Sequence, residues 1–475
     1  MMNISEHTLA TLAEDIRSGR SSPVSILEEV LERIDAINPK LNAYILLLRD
    51  RAIREAKEME DEAKQGRFKG PLHGIPISLK DSLMTKGIRT TAGSKLLADW
   101  IPDKDAVVVE KLRTGGAITV GKTNLHEWAK GSSTLNPFFG STKNAWGVDR
   151  IPGGSSGGSA TAVAASLCFG SVGTDAAGSV RMPAALCGVV GIKPTFGRIA
   201  HFGVVPGSGS WSLDTVGLLT KTAEDAAIML DAISGPDPRD KSSLIVPPLG
   251  VLDLELDLEG AKVGVVKGSL FDASSKEVRQ SIDMAAKILE KLGMIVEEVE
   301  IEHLPYASAI WSTISRTEAW ASHEASIKNK PEGYSRSILT RVILGKYIGG
   351  HHYLKAQRAR GLLIREFDEA IKGRDCLIAP STPIPAPTIE EYKTGYHDVD
   401  GRKEEVGGVY SFLGSWTIPF NLTGQPTISV PCGFSSDGMP LGLQIAGKPY
   451  EESKVLAIAH QYEKASGFLN KRNPI

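Results

Sequence analysis

The chain has 475 residues, 41% of them hydrophobic and 23% charged, with a formal net charge of −2. That balance excludes global disorder and leaves no basic excess to recruit nucleic acid or an acidic membrane surface. The four cysteines, Cys168, Cys187, Cys376 and Cys432, are far apart with no CxxC pair, so they read as buried thiols, not as a disulfide framework or a zinc site. There is no long apolar run and no basic-then-apolar leader, and the expectation is a soluble, cytoplasmic protein that makes no membrane contact.

In chain order, SSPVSILEEVLERIDAIN (21–38) predicts an amphipathic helix with a serine cap, an early proline and a stop at Pro39. A second helix is predicted over Ile45 to Lys64, then a short strand over Ile75–Leu79 that ends at Lys80. Ala106–Thr114 reads as helix, Ile118–Val120 as strand, Ala160–Ser166 as a small-residue helix, and Val172 as the start of another strand. Residues 261–268, 274–292 and 294–301 carry a strand–helix–strand rhythm, and Tyr353–Ile371 reads as a charged amphipathic helix. CLIAPSTPIPAPTI (376–389) is a strand running into a proline-rich loop. TISVPCGF and LGLQIAG flank an SSDG turn, and a last helix covers 451–466. The polar, glycine-punctuated stretch 391–409 is the candidate mobile loop or lid. This alternation predicts an α/β fold organised as one domain over 1–475. Its parts are an N-terminal helical part (1–65), a core (66–235), a peripheral α/β part (236–410), and C-terminal strands and a helix (411–475) that complete the core.

The most unusual stretch is IPGGSSGGSA (151–160), in which two adjacent serines lie between glycine pairs. A linker reading is weak inside a run of regular elements. A phosphate cradle is disfavoured because the Lys-Ser/Thr of a P-loop and the GxGxxG offsets are both missing. The third reading is a turn that presents a hydroxyl. It gains from GTDAAGSVRMPAALCG (173–188), where Ser179 also follows small residues, and from Lys80 at a strand end. A serine needs a base to become nucleophilic, and a lysine buried among apolar neighbours can act as one, because desolvation penalises its ammonium. Ser155 is not in a G-x-S-x-G elbow, and ten histidines leave a histidine-based triad open at this level.

GIPISLKD, TTAGS, GKTNLHEWAKGSSTLNPFFGSTKNAW, PGGSSGGSA, GTDAAGSVRMPAALCGVVGIKPTFGR and SLDTVGLLT, with NLTGQPTISVPCG and MPLGLQIAGKP further on, closely resemble the amidase signature family of serine hydrolases. The resemblance implies a large twisted mixed β-sheet covered by helices on both faces. It also implies a Ser–cis-Ser–Lys arrangement in which Ser179 is the nucleophile, Ser155 the relay after a cis peptide and Lys80 the base. The 24-residue interval from Ser155 to Ser179 selects Ser155 over Ser156. Backbone N–H groups of Ala176, Ala177, Gly178 and Ser179 are then expected to form the oxyanion hole, and no cofactor or metal is implied.

Two departures stand out. Ala176-Ala177-Gly178 replaces a common Thr-Gly-Gly, so an alanine would have to accept a glycine's backbone angles, and Ser82 stands where asparagine is common. Asp175 and Arg181 read as a supporting structural pair. Ser132 and Thr134 read as a pocket wall, and Ser156 either bonds Lys80 or fills the turn. His126 reads as structural and His351–His352 as a surface pair, while Trp211 and Trp311 are pocket-rim candidates. The expected partner is a small-molecule amide, with a homodimer as the expected assembly.

The family includes the glutaminase component of glutamyl-tRNA amidotransferase, in which an aspartate before (Leu/Tyr)-Thr-(Ile/Val)-Pro holds the glutamine ammonium. Here the stretch is LGSWTIP, with Gly414 at that place. The resemblance therefore favours a stand-alone amidase, with the amidotransferase component or a carbamate- or ester-cleaving relative as alternatives. Gly414 and Trp416 point to a weakly charged site suited to neutral amides.

Overall fold

Eleven strands form one mixed sheet. From edge to edge it runs Tyr44–Leu47, Ile118–Thr123, Pro76–Lys80, Gly170–Asp175, Thr215–Thr220, Val190–Lys193, Thr427–Phe434, Pro440–Ala446, Cys376–Pro380, Lys262–Val266 and Ile295–Val299. Pro76–Lys80 and Lys262–Val266 are each parallel to both neighbours, and all other pairings are antiparallel. This computed structural model describes residues 4–246, 249, 253–405, 412–468, 471, 473 and 475.

Every residue of Pro76–Lys80, Ile118–Thr123, Gly170–Asp175, Thr215–Thr220 and Pro440–Ala446 is buried, so both faces of the sheet are covered. That is why these segments read as continuous apolar or small-residue runs without an alternating pattern. Helices Gly157–Ala164, Arg181–Cys187, Ala223–Ile233 and Glu452–Ser466 pack on the central strands. The three strands from 262–380 extend the same sheet, so the region read as peripheral shares its hydrogen bonding with the core. Among the described residues no helix is long and apolar enough to cross a membrane.

Local expectations hold where the signal is a cap or a strict period, and fail where tertiary contact overrides it. Ser22 caps the helix Pro23–Leu41 as its hydroxyl accepts from Ser25 N–H. Pro39 does not stop that helix. It lies in the last turn, and the helix closes at Asn42, which is left-handed at φ 50°. The helix predicted from Ile45 begins at Arg49 instead, because Tyr44–Leu47 is drawn onto the sheet edge beside Ile118–Thr123. The helix expected from Ala160 starts earlier, at Gly157, where a Cβ on Gly158 would collide with the carbonyls of Asn124 and Ala43. The candidate lid is structured over its described part. Ile389–Thr394 is a capped helix, and Tyr396–Val399 pairs with Arg402–Glu405 in a hairpin. The hairpin is tethered by Lys276 N–H donating to Asp400 and by Arg402 donating to the Ala273 carbonyl. Residues 406–409 of that stretch lie outside the described residues.

Pro440–Ala446 is hydrogen-bonded on both sides, and its Leu443 is wholly buried. Leu443→Ala is expected to cost about 2–5 kcal/mol, the usual cost of a cavity left by a deleted core side chain. The loss would be seen as a lower urea midpoint with little change in slope.

Candidate active site

Two sequence-distant elements converge on Lys80, which ends its strand wholly buried. Its Nζ lies 2.7 Å from Ser155 Oγ and 2.9 Å from Thr174 Oγ1, with a longer contact of 3.4 Å to the Thr174 carbonyl. Burial pulls the ammonium down to about pH 7, against the opposing fields of Asp214 and Asp175. The peptide bond Gly154–Ser155 is cis. The backbone around Ser155 is fixed on either side, with Ser155 C=O accepting from His126 N–H at 3.1 Å and Ser156 N–H donating to Ser179 C=O at 3.2 Å. The last contact sets Ser155 and Ser179 side by side in space. Lys80 and Ser155 are sealed off, whereas Ser179 keeps 8% exposure and opens onto the cleft.

The turn carrying Ser179 is built on a buried ion pair. Asp175 accepts from the N–H groups of Gly178 (2.7 Å), Val180 (3.1 Å) and Arg181 (3.3 Å), and from Arg181 Nη2 at 2.9 Å and Nε at 3.1 Å. Burial alone would raise the Asp175 carboxyl, but the Arg181 guanidinium and its hydrogen bonds hold it well below the usual carboxylate range. Arg181 also donates to Asn421 Oδ1 (2.7 Å) and Gln444 Oε1 (2.8 Å), while Asn421 Nδ2 donates to Asp175 at 2.9 Å. The expected Asp175–Arg181 pair is present. Asn421 and Gln444, its outer partners, were missed from sequence, although Gln444 is conspicuous as the polar residue of LGLQIAG.

Of the four expected oxyanion donors, one is committed elsewhere: the Gly178 N–H points to Asp175. Among the described residues the N–H groups of Ala176, Ala177 and Ser179 have no protein partner, and all three residues line the cleft. The two alanines fit without strain, because Gly178 alone in this turn takes a positive φ, +98°. A Cβ there would overlap the Thr417 side chain, whose Oγ1 donates to the Ala177 carbonyl at 2.8 Å.

The cleft encloses about 570 Å³, part of it open to solvent, and is lined by Ser132, Gly154, Ala176, Ala177, Ser179, Met182 and Trp311 among others. Trp311 is a wall residue, as its Nε1–H donates to the Ala176 carbonyl at 2.6 Å. Trp211 is 80% exposed and Trp416 is buried against Ser274, so neither lines it. Gly414 stands behind the turn that carries Ser179, where a Cβ would touch Ile418, the Ala177 carbonyl and Met182 at 3.4–3.7 Å. Ser132 Oγ meets the Tyr392 hydroxyl at 3.0 Å. Thr134 Oγ1 donates to the Gly153 carbonyl at 2.8 Å and so braces the relay. Ser156 bonds the Thr174 carbonyl at 3.3 Å and not Lys80.

His126 is structural. Burial drives it down to about 3, so its ring stays neutral beside Ser133. His351 and His352 are an exposed pair whose rings lie close but tilted at 42°. Glu302, His303 and Glu366 bring metal-type ligand atoms within 4.8 Å of one another, but they share no residue with the cleft. Gly178→Ala is expected to lower kcat by at least ~10²-fold, because the turn must shift to accommodate the Cβ. Steady-state kinetics, with circular dichroism to confirm folding, would check it.

The family profile Amidase matches residues 25–456. Over its full length the chain is 40% identical to the A-type subunit of the glutamyl-tRNA(Gln) amidotransferase of Geobacillus thermodenitrificans, covering 100% of both chains. Its fold superposes on 6-aminohexanoate cyclic dimer hydrolase with a TM-score of 0.88 at 30% identity, covering 100% of this chain and 99% of that one. A bacterial aryl acylamidase gives 0.87 at 25% identity, with 98% of each chain covered. With a buried lysine in contact with one serine and a second serine opening onto the cleft beside them, and with these relatives matched end to end, the chain belongs to the amidase signature family and is an amide-hydrolysing enzyme.

Proposed function

We propose that Ser179 attacks the amide carbonyl, with Ser155 as proton relay and Lys80 as base. The single observation that carries this reading is the 2.7 Å contact between a buried Lys80 Nζ and Ser155 Oγ, at a lysine held near pH 7. As the neutral amine, Lys80 accepts the Ser155 proton while Ser155 takes the proton leaving Ser179. The carbonyl oxygen gathers charge beside the N–H groups of Ala176, Ala177 and Ser179. The relay then returns a proton to the leaving nitrogen, the C–N bond breaks, and an acyl-enzyme remains on Ser179. Water deprotonated by the same relay adds to the acyl carbon and releases the acid and Ser179.

The reading adopted is a free-standing amidase acting on a small-molecule amide. Gly414 supports it, since no carboxylate stands there to hold a glutamine ammonium. The second reading is the glutaminase component of a tRNA-dependent amidotransferase, which is supported by 40% identity along the whole chain to such a protein. Release of ammonia by the isolated protein separates them. Turnover of simple amides without a partner supports the first, and turnover of glutamine alone, raised by a partner protein, supports the second.

Lys80→Met, Ser155→Ala and Ser179→Ala are each expected to lower kcat by roughly 10³-fold or more, as members of one catalytic unit. The sign of the pH dependence follows from the base being the neutral amine. Rate should rise with pH as Lys80 loses its proton, with an apparent midpoint at about 7. A kcat/KM profile that is flat from pH 6 to 8 would remove Lys80 as the base.

A further inference from the structure

The cleft is not electrically neutral. Lys130 and Arg341 line it, and among the described residues no aspartate or glutamate does. Lys130 enters the wall after Trp128 and Ala129, both left-handed at φ 53° and 54°, and its Nζ donates to the Gly209 carbonyl at 2.6 Å. Arg341 Nη1 donates to the Lys130 carbonyl at 2.7 Å, so both cationic side chains are tied to one stretch of wall. Among the described residues no carboxylate oxygen lies within 4.0 Å of Lys130 Nζ. Two carboxylates, Asp214 and Glu318, act on Lys130 through their field without contacting it. Asp214 accepts from His201 Nε2 at 3.1 Å through Oδ2, while its buried Oδ1 has no hydrogen-bond partner among the described residues. Glu318 accepts from the hydroxyls of Ser210 (2.5 Å), Ser212 (2.6 Å) and Tyr353 (3.2 Å). Desolvation draws the Lys130 ammonium down to about 8, which leaves it mostly charged at neutral pH. The rest of the lining is small or apolar, so the two positive charges act in a poorly screened space.

We infer that this cleft selects amides that carry a carboxylate remote from the scissile carbonyl, with Lys130 and Arg341 receiving the carboxylate. The inference rests on the reading that places the scissile carbonyl at Ser179, the polar opening of the same cleft. It replaces the weakly charged site expected from Gly414 and Trp416 with a positively lined one. It also separates two features of glutamine: the carboxylate is welcome here, while the ammonium meets two like charges and finds no aspartate or glutamate in the lining.

Glutaramate, glutaramide and glutamine isolate these terms. Glutaramate is glutamine without its ammonium, and glutaramide is the neutral isostere. Calorimetric titration of the Ser179→Ala protein is expected to show glutaramate binding at least tenfold more tightly than glutaramide, with glutamine weaker than glutaramate. Lys130→Gln removes the charge but keeps a donor for the Gly209 carbonyl. In that background the preference should fall to within threefold, and Lys130→Arg should retain it. Equal affinities, undetectable binding of both, or a preference that survives Lys130→Gln would overturn the inference. Turnover that persists in Ser179→Ala would instead overturn the placement of the nucleophile, and the affinity comparison would stand apart from it.

Discussion

The Asp175–Arg181 pair is the constraint on which the rest of the site depends. Both side chains are wholly buried, so each charge is tolerated only because the other is present and the surrounding polar groups find partners. Asp175 gathers three backbone N–H groups and thereby bends the chain into the turn that presents Ser179. Arg181 reaches outward to Asn421 and Gln444, which lie more than two hundred residues further along the chain. The turn carrying Ser179 is therefore set by the C-terminal segment as firmly as by its own sequence. Gln444 completes the link by donating to the Pro380 and Trp416 carbonyls.

Three wholly buried lysines show why a shifted pKa does not by itself identify a catalytic base. Lys193 is also drawn down to about 7 by burial, but its Nζ ends on the Pro194 carbonyl. Lys122 is lowered by burial and answered by Asp81 at 3.3 Å, with the Leu83 carbonyl and two threonine hydroxyls completing its shell. Lys80 alone of the three contacts a serine hydroxyl beside a cleft. Desolvation makes the proton labile, and geometry decides where it goes.

The relatives and the wall chemistry bear on different questions. Similarity along the whole chain fixes the family and the class of reaction, and it embraces both amidotransferase components and hydrolases of small amides. The cleft wall, which includes Lys130, Trp311 and Arg341, is the part of the site that differs in kind from the Lys80–Ser155 contact, because it brings charge and shape to the opening at Ser179.

The sequence alone determined the elements whose signal is local. These are the capped helix from Pro23, the strand that ends at Lys80, the terminal strand pair around SSDG, and the glycine–serine and Asp175–Arg181 motifs that mark the reacting groups. Local periodicity and turn chemistry carry that information because they depend on neighbours a few residues away. Other features were decided by partners distant in the chain. Tyr44–Leu47 became an edge strand only because Ile118–Thr123 offers it a ladder. The Gly178 N–H left the oxyanion set because Asp175 claims it, and the stretch after Ile389 became a tethered helix and hairpin. The charge of the cleft was equally invisible, since Lys130 and Arg341 are about two hundred residues apart in the chain and are brought together where Arg341 donates to the Lys130 carbonyl. Long-range hydrogen bonds and the fields of buried charges exist only after folding brings their partners within a few ångströms, so only the tertiary structure decides them.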